Sequence, residues 1–191
     1  PNHWNTSWDQ ARFESVGHRF ADLSERNYGV ALLNDCKYGY DIKDNVMRIS
    51  LLRSGLQPDH IQDLGKHEFT YSLLPHTGDF VEGRVVEEAH ALNNPMDVVK
   101  GAEKEGCGSF FAVDNSQVEI DAVKKSEDGR YLVVRFHDFA GSRQKVEVKP
   151  SFSYEGWAEG DLRERPAEAI RKDQVVLELH PFEIKTILFE L

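Results

Sequence analysis

The chain has 191 residues and a formal net charge of -10, with 23 Lys and Arg against 33 Asp and Glu. That acidic excess, with no basic stripe interleaved with aromatics, leaves little to neutralise phosphates, so nucleic acid is not an expected partner. No apolar run approaches the roughly 20 residues of a membrane span, and Cys36 and Cys107 stand far apart in no metal-ligand spacing, which argues against a disulfide framework or a Cys-rich zinc site.

The length suits one large β domain or two small ones, with two slightly favoured. Pro1-Asn2-His3-Trp4-Asn5-Thr6-Ser7 reads as a surface connection entered midway, so the chain is expected to be a piece of something longer. No charged n-region with a small-residue cleavage site opens it, and a soluble protein is expected. Phe13 to Phe20 can alternate as a strand, with His18 on an apolar face as a half-buried, backbone-satisfied histidine or, less simply, a site residue. Ala21 to Asn27 carries turn formers before the next strand.

The organising stretch is Tyr28 to Ser54. Val30-Ala31-Leu32-Leu33 is an apolar run short enough for a strand covered on both faces, and it ends abruptly in polar Asn34 to Asp41. A buried strand should thus deliver hydrogen-bonding side chains to one end of a sheet. Lys43-Asp44-Asn45 reads as a tight turn, followed by alternation with Met47, Ile49 and Leu51 on one face and Arg48, Ser50 and Leu52 on the other. Gly55 to Lys66 lacks any period and should be an exposed loop. His67 to Leu74 alternates as a strand that Pro75 ends. His60, His67 and His76 lack the close spacing of a metal site, and no metal is expected in this chain.

Val85, Val86, Ala89 and Leu92 share one helical face, and Asn93-Asn94-Pro95 stops the helix because the residue before Pro is pushed out of the α region. Met96 to Gly108 is Gly-rich and charged, the best internal boundary. Beyond it, strand-like runs at 109–113, 118–123, 131–136, 145–148, 175–179 and 184–188 alternate with turns at Asn115-Ser116, Glu127-Asp128-Gly129 and Ala140-Gly141-Ser142. Closely spaced strands with polar turns indicate an immunoglobulin-like β-sandwich, though not a true immunoglobulin domain without a Cys pair. The expected fold is all-β, a β-sandwich region with one short helix followed by a smaller immunoglobulin-like β-sandwich, divided as residues 1–105 and 106–191.

YGVALLNDCKYGYD, followed by LRS, HEFTYSLLPHTGD and VVEEAHALNNPM, resembles the C-terminal β-rich region of the class II α-mannosidases, glycoside hydrolase family 38, and more closely their bacterial and fungal cytosolic branch. WDQARFESVGHRFADLSE at 8–25, SFFAVDNSQVEIDAVKKSEDG at 109–129 and the closing PFEIKTILFEL fit the same pattern, in the same order and over nearly the whole chain. The resemblance implies a cytoplasmic, retaining α-mannosidase whose nucleophile, acid/base carboxylate and zinc ligands lie in an N-terminal barrel. No motif of that barrel occurs here, so no catalytic residue is assigned to this chain, and the implied zinc belongs to the catalytic domain. Implied partners are that domain of the same polypeptide and α-mannosides through the parent enzyme, with a homo-oligomer left open.

Retaining hydrolysis needs two carboxyls about 5 Å apart. The strongest local carboxylates are Asp35 and Asp41, beside Lys37 and two tyrosines, although Asn34 and Asp35 more simply close a turn by bonding to nearby backbone. Asn34, Asp35, Lys37, Tyr38, Tyr40 and Arg53 are the candidates for lining a domain interface or outer substrate cleft, with Arg53 suited to pair a carboxylate bidentately. The leading expectation is a structural and interface module, inactive alone. The alternatives are an independent carbohydrate-binding β-sandwich using Trp4, Tyr154 and Trp157 as an aromatic platform, or a small stand-alone hydrolase.

Overall fold

The computed structural model describes residues 6–11, 13–101 and 108–191. The chain divides into two compact units, Pro1–Gly101 and Ala102–Leu191. Among the described residues no helix is long and apolar enough to cross a membrane.

The first unit contains α1 (Ser7–Ala11), β1 (Glu14–Val16), β2 (Phe20–Ser24), β3 (Gly29–Asn34), β4 (Gly39–Lys43), β5 (Val46–Ile49), β6 (Tyr71–His76) and α2 (Val85–Asn93). The apolar run at 30–33 forms β3, the central strand of an antiparallel β2-β3-β6 sheet. Helix α2 lies on one face of that sheet and buries Val85 and Ala89 against Ala31 and Leu33, with Phe20, Leu74, Phe80 and Leu92 around them. Of these, the buried Val85 and Leu33 side chains each contribute about 1.5–3 kcal/mol of transfer free energy. A second antiparallel sheet, β1-β4-β5, carries the expected hairpin, with Asp44 at positive φ in its turn.

Three expectations for this unit are corrected. Phe13 to Phe20 is not one strand: it breaks between β1 and β2 at Gly17 to Arg19, where Arg19 has φ 69. Ala21 to Asn27 is not all turn, because its first half is β2, and only the segment after Ser24 turns, Glu25 N donating to Tyr28 O (2.8 Å). The strand read at 67–74 is β6, which begins only at Tyr71 and runs through Pro75. β6 is the edge strand of its sheet, where a residue without an N–H is tolerated. Its inward residues are therefore Leu74 and His76, while Tyr71 and Leu73 are 57% and 65% exposed on the face away from α2.

His76 joins sheet to helix. Its Nε2 donates to Asp22 Oδ1 at 2.8 Å, and both side chains are buried. The imidazole lies between Gly29 and Gly83, where an added Cβ would come within 2.4 Å of the ring from either side. These glycines serve close approach at the start of β3 and in the turn before α2. Asp79 orders that turn by accepting from the amides of Val81 (2.8 Å) and Glu82 (3.0 Å).

Among the described residues the second unit is a seven-stranded antiparallel sandwich of β7 (Phe111–Val113), β8 (Val118–Lys125), β9 (Tyr131–Asp138), β10 (Gln144–Pro150), β11 (Gly156–Gly160), β12 (Val175–Leu179) and β13 (Ile184–Glu190). One sheet has the order β12-β10-β7 and the other β11-β13-β9-β8. Their inner faces interlock Val146, Val148 and Leu177 with Val134, Phe136, Trp157, Ile187 and Phe189. All six strand-like runs appear, and β11 is a seventh that glycine at both ends concealed. Arg171 pairs with Trp157 through both backbone hydrogen bonds (2.7 and 2.8 Å), folding the segment after β11 back, and Ile170 packs on the outer cluster of Tyr131, Val133 and Leu188.

Asp138, fully buried at the end of β9, closes the sandwich at one end. Its carboxylate accepts from the amides of Gly141 (2.9 Å), Ser142 (3.1 Å), Ala140 (3.3 Å) and, from the β12–β13 connection, Phe182 (2.9 Å). At the other end of β9, Asp128 accepts from Ser126 Oγ (2.7 Å) and from the amide and side chain of Arg130. Those bonds, the serine's first, hold its carboxyl at about 2.

Three outcomes follow from this packing. Gly83→Ala should lower the stability of the first unit by about 2 kcal/mol through displacement of the His76 ring, read from urea unfolding. Asp138→Ala should cost the second unit about 3 kcal/mol or more, since it strands several buried amides, and Asp138→Asn should cost less. Because the Asp128 carboxyl is depressed, its stabilisation of the β8–β9 turn is full above the ordinary carboxylate range and is lost as pH falls toward 2. Carbon-13 NMR titration should give a midpoint near that value, raised in Ser126→Ala.

Candidate functional site

The polar segment at the end of β3 is organised by Asn34, whose side chain is fully buried. Its Oδ1 accepts from the amides of Cys36 (3.1 Å) and Lys37, which coils the chain into a turn. Its Nδ2 donates to the hydroxyl of Tyr40, itself only 2% exposed. The backbone of Asn34 is equally engaged: its N–H donates to Arg19 O (2.8 Å), and its carbonyl accepts from Asn93 Nδ2 at the end of α2 (3.0 Å). The structural reading weighed for Asn34 is therefore realised. Tyr40 stands behind the turn, its phenol pushed up by burial, with Gly17 closely packed on its ring.

Asp35, Lys37 and Tyr38 face outward or lie half-buried on this support. Asp35 clasps the segment before β6, its Oδ2 accepting from Thr70 N (3.0 Å) and its own amide donating to Thr70 O (3.2 Å). The Cys36 thiol, and then the Thr70 amide, hold the Asp35 carboxyl below the usual range, while the same contact raises the thiol. Lys37 Nζ lies 4.9 Å from the centroid of the Phe69 ring, a cation–π arrangement. Exposed Tyr38 stacks on His18 with centroids 5.6 Å apart and planes at 7°. Arg53 is exposed on the segment after β5.

Sequence reasoning placed His18 half-buried, but it is exposed, because the break at Gly17 turns it off the apolar face. Nothing in its spacing revealed the partnership with Tyr38. That contact comes from the antiparallel pairing of β1 with β4, extended by Gly17 N donating to Tyr38 O (3.0 Å). Asp41 does not join Asp35 in a dyad: it pairs with Arg48 across the hairpin at 3.2 Å. The three histidines also have separate roles, with His76 buried on Asp22, His67 bonded to Asp63 O (2.8 Å) and His60 exposed.

An ionised carboxylate, a lysine and a flat exposed ring pair can hold hydroxylated ligands by hydrogen bonding and stacking. They lack the feature of a general acid, a carboxyl raised toward neutrality. Among the described residues every resolved carboxyl shift, at Asp35, Asp128 and Asp161, is downward.

Two of the three residues named for an aromatic platform, Trp157 and Tyr154, are not exposed. Trp157 is 1% exposed in the sandwich core, and Tyr154 is half-buried edge-on against Phe189 at 5.2 Å. Apolar packing claims both rings, Trp157 within the sandwich core and Tyr154 against Phe152 and Phe189. Trp4 lies outside the described residues, as does Cys107.

Two family models match the chain in order: the glycosyl hydrolases family 38 C-terminal domain over residues 1–61, and the family 38 C-terminal beta sandwich domain over 117–187. The chain is 50% identical over 212 residues to an alpha-mannosidase of Saccharomyces cerevisiae, covering 96% of this chain and 19% of that one. Alpha-mannosidase 2C1 of Homo sapiens is 38% identical over 200 residues, covering all of this chain and 19% of the relative. The chain thus spans about a fifth of the length of these relatives. The fold matches the crystal structure of an alpha-mannosidase from Enterococcus faecalis V583, with a TM-score of 0.78 at 21% identity over 100% of this chain and 23% of that one. Two consecutive family regions and relatives aligned along the whole sequence carry one conclusion: the chain belongs to the C-terminal region of glycosyl hydrolase family 38.

Proposed function

We propose that this chain is the non-catalytic C-terminal portion of a retaining α-mannosidase that hydrolyses terminal α-mannosyl linkages in the cytoplasm, bracing the catalytic barrel and bordering its cleft. The observation that carries the reading is in the first unit. The β2-β3-β6 sheet is covered by α2 on one face and presents exposed Tyr71 and Leu73 on the other, beside a rigid polar turn. An apolar sheet face is suited to receive a neighbouring domain of the same polypeptide. Residues 1–105 would be part of the large β-sandwich of that region and 106–191 its small C-terminal β-sandwich.

The six candidate residues divide by role in this reading. Asn34 and Tyr40 position the turn from within. Asp35, Lys37 and Tyr38 meet substrate or the barrel, with His18 extending the Tyr38 ring as a stacking surface, and Arg53 pairs a carboxylate of the barrel. The zinc implied by the family resemblance is assigned to the catalytic domain and to no residue of this chain.

In the full-length enzyme, Lys37→Ala, Tyr38→Ala and Arg53→Ala should each lower kcat/KM by about tenfold while leaving thermal unfolding nearly unchanged, a loss of about 1.4 kcal/mol of transition-state binding. Asn34→Ala should lower both stability and kcat/KM, because it removes the support of the turn. Wild-type activity and assembly in all three surface variants would remove the rim reading. The 191-residue chain alone should give no turnover of an aryl α-mannoside, and turnover would replace the reading with a stand-alone hydrolase.

A further inference from the structure

The second unit holds a cluster that the mannosidase reading does not use. Glu119 on β8, Asp121 on β8 and His137 on β9 each offer a ligand atom, and these atoms lie within 4.8 Å of one another. Glu119 is directly opposite His137 in the antiparallel pairing. Asp121 joins them because the register slips between Ile120 and Ala122, so that Ala122, and not Asp121, stands opposite Arg135. In an unbroken ladder Asp121 would face that guanidinium and pair with it. The bulge instead leaves the Asp121 carboxylate to His137, whose Nδ1 is 2.7 Å from Asp121 Oδ2, while Arg135 turns to Glu164 (3.5 Å) and the carbonyl of Leu162 (3.1 Å). Phe139 packs beside the His137 ring at 6.2 Å.

We infer that Glu119, Asp121 and His137 form a surface site for a divalent first-row transition ion. One imidazole nitrogen and two carboxylates suit zinc and its neighbours better than calcium or magnesium, which prefer all-oxygen shells. Tetrahedral metal–ligand bonds of about 2.1 Å place donors about 3.4 Å apart, so side-chain rotation would have to spread His137 Nδ1 and Asp121 Oδ2 from 2.7 Å and draw any wider pair inward by about an ångström to close the set on an ion. All three donors sit on paired strands, which fixes their relative positions better than loops would. The ion would replace the direct His137–Asp121 contact, bridge β8 to β9, and keep its remaining positions for water or a ligand oxygen. The inference does not depend on the mannosidase reading.

The test is calorimetric titration of the chelator-stripped 191-residue chain with ZnCl2, repeated for His137→Ala and Glu119→Gln, with circular dichroism as the check on folding. A saturable site should appear in the wild type, be lost in His137→Ala and weaken at least tenfold in Glu119→Gln. Added Co²⁺ should selectively broaden the amide NMR signals of residues 119–122 and 136–138. Absence of saturable binding, an unchanged isotherm in folded His137→Ala, or broadening centred on other histidines would overturn the assignment.

Discussion

The buried amide of Asn34 is the constraint on which the first unit depends. A side chain amide taken out of water must find partners for its donors and its acceptor or cost the fold a few kcal/mol. Here the partners are the turn that follows β3 and the Tyr40 hydroxyl, while the backbone of the same residue reaches Arg19 and the end of α2. One residue therefore locks the central strand to the helix, to the second sheet and to the polar turn. The consequence is mechanical: the backbone that carries Lys37 and Tyr38 is held by the core behind it.

That division of labour explains which parts of the molecule were legible in the sequence. Buried periodicity was readable: the run at 30–33, the helical face of Val85, Val86, Ala89 and Leu92, the hairpin turn at Asp44 and six strands of the second unit all followed from local pattern. The errors lie where backbone geometry or tertiary pairing outweighed pattern. The positive φ at Arg19 broke an alternating run, β2 recruited residues with turn propensity because β3 offered them a ladder, and Pro75 was admitted at an edge. Strand β11 was hidden by its terminal glycines, and both exist for close packing, since a Cβ on Gly156 would meet Ile170 and one on Gly160 would meet Leu188. In the candidate site, the polar turn was visible in composition, but the burial of Tyr40 and the stacking of His18 on Tyr38 were not. Both depend on β1 returning beside β4, a pairing that no local spacing records.

The second unit shows how a sandwich without a disulfide keeps its sheets in register. The core is built from facing β-branched and aromatic residues, and the open end beyond β9 is closed by Asp138 instead of a covalent link. A carboxylate can accept several amides at once, so a single buried anion ties the β9–β10 loop to the β12–β13 connection. Trp157 acts on the same principle from the other direction. Its ring fills the core and its indole N–H donates to Asp173 O (3.0 Å), which is why an aromatic that looks available in the sequence is not available to a ligand.

The electrostatics of the first unit bear on what its polar turn can contribute. Hydrogen bonds that hold Asp35 ionised make it a fixed acceptor, suited to orient a hydroxyl or a cationic neighbour and unsuited to deliver a proton. Stacking of Tyr38 on His18 and the placement of Lys37 over Phe69 add flat and positive surface. A fixed acceptor beside a lysine and a flat ring pair offers hydrogen bonding and stacking, which is chemistry distinct from delivering a proton, a task that needs a carboxyl kept protonated by an apolar setting.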